Sequence, residues 1–131
     1  MAKSTPWGPS QHEEAVAPGI VFYSTAGHGG YHLDRDRMAA FHRLFPTFIT
    51  FAGGPWFEED CDAAAVVIAF PEHFSEDSLR CAIESAEWSM NRPAASNDDW
   101  TAVVARGRQL MHAEDCMCMG CALSPRKAVL S

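Results

Sequence analysis

The stretch "AAAVVIAF", residues 63–70, is apolar on every side, whether wound as a helix or drawn out as a strand. An element without a polar face has to be buried all round, so the rest of the chain must wrap it. Its own conformation is contested by opposing signals. Glu58, Glu59, Asp60 and Asp62 precede it, where negative charge supports a helix start, and Ala63 to Ala65 are strong helix formers. Val66, Val67 and Ile68 favour a buried central strand instead. The balance tips towards a helix.

The elements available to surround it follow from local pattern. "IVFYST" from Ile20, the turn "AGHGG" and "YHL" read as a β-hairpin. Asp34 can cap a helix over "RDRMAAFHRLF", in which Met38, Phe41 and Phe45 share a face, and Pro46 stops it. "TFITFAGG", residues 47–54, reads as a third strand. Ser75 can cap a helix whose stripe is Leu79, Ile83, Ala86 and Met90. A last helix is expected from Asp98 to about His112. The turn formers Pro6, Gly8, Pro9, Pro18 and Gly19 disfavour regular structure in residues 1–19, and Trp7 is expected to pin this arm to the body. The expected fold is α+β: a small antiparallel sheet, an N-terminal hairpin plus a third strand, between residues 20 and 52, packed against three to four helices. A chain of 131 residues fits a single domain, here with an extended arm (1–19) and a Cys-rich tail (113–131).

Composition narrows the function classes. No apolar run approaches the roughly 20 residues needed to cross a bilayer, and the opening residues lack the apolar core of a secretory signal, so a cytoplasmic protein without a membrane partner is expected. A net charge of −7 disfavours direct binding to nucleic acid and suits a partner with a basic surface.

Four groups of side chains carry the chemical possibilities. His112, Cys116, Cys118 and Cys121 have the number and type of ligands for one structural zinc, although Cys116 and Cys118 stand closer than zinc knuckles usually allow. With four protein ligands such a site would staple an adaptor and would not catalyse. Cys61 and His28 could form a nucleophile and base in a small hydrolase, with a carboxylate orienting the imidazole and turn amides as an oxyanion hole. The acids around Cys61 work against this, because they raise a thiol pKa. Clustered acids could also hold magnesium or calcium, but no glycine-punctuated calcium loop is present. Finally, Trp56, Phe57, Glu58, Glu59, Asp60 and Asp62 could form a partner-binding surface, aromatic anchors among carboxylates that steer a basic target.

Three blocks, "TPWGPSQ", "APGIVFYSTAGHGGYHL" and "WFEEDCDAAAVVIAFPEHF", occur in that order between residues 5 and 74. Together they resemble an uncharacterised domain family found in plasmid- and phage-borne proteins of proteobacteria. The matching positions are Pro6, Trp7 and Gly8; Ser24, Thr25, His28, Gly29 and Gly30; Glu58, Glu59, Asp60 and Cys61; and Phe70, Pro71 and Glu72. The resemblance implies a setting and no activity: an accessory gene of a mobile element. Small acidic proteins of that setting resemble inhibitors of host restriction or CRISPR defence. The expectation is therefore a non-enzymatic inhibitor of a host protein complex, with the hydrolase and the zinc-stapled adaptor as alternatives.

Overall fold

The computed structural model describes residues 3–50, 54–59, 62–91 and 99–115, with side chains in the last helix described for residues 100–111. Six strands and four helices follow in the order β1 (Ser4–Thr5), β2 (Gly8–Pro9), β3 (His12–Ala17), β4 (Ile20–Ser24), β5 (Gly29–Leu33), α1 (Arg35–Leu44), β6 (Trp56–Glu58), α2 (Ala63–Ala69), α3 (Glu76–Asn91) and α4 (Asp99–Asp115), with a 3-10 turn at Pro71–His73. This is an α+β fold. β3 to β6 form one antiparallel sheet in sequence order, and β1 pairs with β2 in a separate small hairpin.

The contested apolar run is a helix. Residues Ala64 to Ala69 of α2 are all buried, between the sheet on one side and α3 and α4 on the other. Each buried Val or Ile side chain there contributes roughly 1.5–3 kcal/mol. The acids do not start this helix as expected, since Glu58 ends β6 and only Asp62 reaches the N-cap position, without a side-chain cap hydrogen bond.

The remaining helices obey their local signals. Asp34 accepts a hydrogen bond from the Arg37 amide at 2.8 Å, and Phe41 and Phe45 of that segment are buried. The Ser75 hydroxyl caps α3 through the Ser78 amide at 3.0 Å. α3 buries Leu79, Ala82, Ile83, Ala86 and Ser89, and α4 buries Trp100, Val103 and Val104. Gly107 lets α4 approach α3 closely, because a Cβ there would stand 2.8 Å from Ile83 Cγ1.

Two expectations are corrected. The third strand of the expected sheet is Trp56–Glu58, not residues 47–54; residues 48–50 have no regular structure, and residues 51–53 lie outside the described residues. The edge of β5 is taken by Trp56 and Phe57, while Phe48 folds inward as a plug against Phe41 and Trp100, with ring centroids 5.4 and 5.2 Å away. The N-terminal arm is also more regular than its turn formers suggest. β1 and β2 form a hairpin closed by Thr5 Oγ1 donating to the Gly8 carbonyl at 2.6 Å, and β3 joins the main sheet with a bulge between Ala15 and Ala17. Pairing with β4 outweighs the weak strand preference of "HEEAVA". Trp7 does pin the arm: its indole lies against Gly30 in the centre of the sheet and meets Trp56 edge-on at 5.7 Å.

Candidate functional site

Strand register sorts the sequence candidates onto opposite faces of the sheet. Glu14, Phe22, Tyr31 and Phe57 are cross-strand partners in one row on the helix side, running from the exposed edge strand into the core. Glu13, Tyr23, Gly30 and Glu58 form a row on the opposite face, next to Ala15, Val21, His32 and Trp56. Alternation along a strand makes this separation unavoidable.

Accordingly, the stretch from Trp56 to Asp62 is not a single surface. Trp56 is half-buried under the N-terminal arm, 5.6 Å from Tyr23 and 4.6 Å from His32 between ring centroids. Phe57 points the other way, fully buried, and packs on Phe41 at 4.9 Å. Glu58 is 8% exposed and pairs with His28, Oε1 to Nδ1, at 3.5 Å. Glu59 is exposed on the helix side, where its amide donates to the Gly29 carbonyl. Asp62 is buried at the start of α2. Phe57, Glu58 and Asp62, expected on a partner-binding surface, thus occupy buried positions. Asp60 and Cys61 lie outside the described residues, as do Cys116, Cys118, Cys121 and the side chain of His112.

His28 sits in the β4–β5 turn, exposed and held by Thr25, whose hydroxyl accepts from the His28 amide at 3.1 Å and donates to its carbonyl at 2.9 Å. The His28–Glu58 contact places a carboxylate beside this imidazole. Among the described residues no group of three or more His, Cys, Asp or Glu side chains is placed to hold a metal ion, and no helix is long and apolar enough to cross a membrane.

What the sheet does present is an acidic edge with aromatic residues behind it. Among the described residues β3 is paired on one side only, and His12, Glu13, Glu14 and Ala15 on it are exposed. Behind Glu14, Phe22 meets Tyr31 at 5.0 Å and Tyr31 meets Phe74 at 5.7 Å, both nearly edge-to-face, and all three rings are half-buried. Burial raises the Tyr31 phenol pKa, and the carboxylates of Glu14 and Glu59 raise it further. On the other face, burial and then Glu13 raise Tyr23, whereas His32 is lowered by burial and by Lys3, against the opposing pull of Asp34. Glu13, Glu14, Phe22, Tyr31 and Phe74 were not singled out in the sequence. Their convergence depends on strand register and on the turn after α2, which a linear reading of charge clusters does not contain.

No curated protein and no solved structure matches the chain. The sequence model of one family, a domain of unknown function designated DUF7007, matches residues 1–117. That match takes in every described strand and helix, and the chain belongs to the DUF7007 family.

Proposed function

We propose that this is a non-enzymatic binding protein of a phage or plasmid, which occupies a basic surface on a host protein complex, with a cytoplasmic defence assembly as the target class. The observation that carries the reading is the acidic edge: among the described residues β3 ends the sheet, with adjacent exposed carboxylates, Glu13 and Glu14, on opposite faces. Charged side chains on an edge strand discourage pairing with other strands. The same charges, in a chain of net charge −7, attract and orient a cationic partner. The mobile-element setting is supported by the three sequence blocks between residues 5 and 74.

The test is affinity purification of the tagged protein from its host through a moderate-salt wash, beside an E13K/E14K variant. One host complex held in stoichiometric amount by the parent chain and released by the variant is the expected result. Capture unaffected by the charge reversal would move the interface off this edge. A parent chain that retains nothing would sink the reading.

A second reading is favoured by one contact, Glu58 against His28 Nδ1 at 3.5 Å, which would orient the imidazole as a base for Cys61. A hydrolase of this kind requires Cys61 to react selectively with iodoacetamide near neutral pH, and to do so more slowly in H28Q. An inert Cys61 in the folded protein would end it.

A further inference from the structure

We infer that the notch bounded by Phe22, Tyr31, Phe74, Glu14 and Glu59 receives an arginine side chain of the basic partner. The inference rests on the reading of this edge as a docking surface and specifies its anchor. Glu14 and Phe22 are direct cross-strand partners, as are Phe22 and Tyr31, so carboxylate and rings stand side by side on one face. Glu59 closes the far side: both its Oε2 and Phe22 Cζ lean over Gly29, 3.2 and 3.0 Å from where a Cβ would be. Glycine at that position therefore lets a ring and a carboxylate come together over the strand.

The chemistry selects the ligand. Three half-buried rings offer apolar contact and the negative faces of π systems, which attract cations. Two exposed carboxylates on opposite flanks of the rings supply charge at separate points. A planar, weakly hydrated guanidinium can stack on a ring and donate from its edge to carboxylates at once, whereas a lysine ammonium is a compact point charge with a firm water shell. The helices reinforce this opening by packing over β5 and β6, deeper along the same face, so that the row runs from buried Phe57 through half-buried Tyr31 and Phe22 to exposed Glu14. Among the described residues of the strands, the other titratable side chain on this face is His12, which partners Ser24 in the neighbouring row.

The test is an NMR titration of the full chain with a blocked pentapeptide of two arginines among glycines, and with its lysine and citrulline counterparts. Ring signals of Phe22, Tyr31 and Phe74 should shift with the arginine peptide, and citrulline should abolish the effect. E14Q/E59Q should weaken arginine binding about ten-fold, while E76Q/D77N, which removes two exposed acids of α3, should leave it within about two-fold. Equal weakening by the two double variants, or shifts centred elsewhere, would overturn the notch and leave the acidic docking surface standing. Equal affinity for the lysine peptide would overturn the guanidinium assignment. Absence of binding by either cationic peptide would overturn the notch and the docking reading together.

Discussion

Arg106 on α4 donates from Nε to the Ile68 carbonyl at 2.9 Å and from Nη2 to the Ala69 carbonyl at 3.2 Å, closing the C-terminal end of α2. The last carbonyls of a helix have no partner within it, and here they sit at the end of a buried helix where water is scarce. One guanidinium from a segment nearly forty positions along the chain satisfies two of them.

Replacing Arg106 by Met, which keeps the apolar stem and removes the donors, should therefore destabilise the fold by about 1.5–3 kcal/mol, the range for hydrogen bonds from a charged donor. R106K should recover little of this, because one ammonium cannot reproduce the two-pronged geometry. Urea unfolding of the three proteins measures it, and an R106K midpoint equal to the parent's would contradict the account.

Gly30 should resist any side chain. A Cβ there would run into both the Phe57 carbonyl and the Trp7 ring. G30A should cost roughly 1–3 kcal/mol by overpacking. W7A removes only one of the two obstacles, so the double variant G30A/W7A should remain less stable than W7A alone. Thermal melts of the four proteins close this cycle.

Protonation of His32 should weaken the fold. Its pKa is lowered from 6.5 by burial and Lys3, so the unfolded chain takes up the proton more readily than the folded one. Stability is then complete above that value and declines as the pH falls below it towards the folded-state value. Urea midpoints measured on either side of pH 6.5 should differ in that direction, and H32Q should flatten the difference. A slope unchanged in H32Q would assign the effect to other groups.

The chain has two tyrosines, and both should ionise above the usual value of 10.0. For each, the folded state holds the proton more tightly, so their contribution to stability is present below 10.0 and lost as the pH rises above it. Phenolate absorbance should show E14Q/E59Q lowering one of the two transitions and E13Q the other. A titration unmoved by E14Q/E59Q would mean that the two carboxylates do not act on Tyr31.

Adjacent glutamates should behave differently on reversal. Glu58 is nearly buried against His28, so E58K places a cation beside that imidazole and should lower the melting temperature clearly. Glu59 is exposed, and E59K should fall within about 0.5 kcal/mol of the parent. Equal effects from the two would be incompatible with a buried Glu58 beside an exposed Glu59.

Much of the fold could be read from the chain because its signals are local. Asp34 and Ser75 cap where capping residues should, the Gly-rich turn around His28 closes its hairpin, and "AAAVVIAF" is buried as its lack of a polar face demands, with Ala63–Ala69 in the helix that its alanines favour. The misreadings came from non-local competition. Phe48 has strand-like neighbours, yet it is drawn into the aromatic core by Phe41, Phe57 and Trp100, and Trp56 and Phe57 take the place on β5 instead. The candidate site was less legible than the fold. Trp56, Phe57, Glu58 and Glu59 are contiguous in the chain and therefore, in a strand, cannot share a face. Glu14 and Glu59 are far apart in the chain and come to flank the same rings only because β3, β4, β5 and β6 pair in one particular register.

The sequential strand order also sets a timetable for synthesis. Every strand of the main sheet lies between His12 and Glu58, so the sheet can be completed before α2, α3 or α4 has emerged from the ribosome. Domains gain structure from the N-terminus as they emerge from the ribosome. During that interval Ile20, Leu33 and Phe57 have α1 as their only helical cover, and their apolar face waits for residues that have yet to emerge. The nascent chain is therefore most prone to aggregate after residue 58 and before α2 has docked, which is the window in which a chaperone would contribute most to its yield.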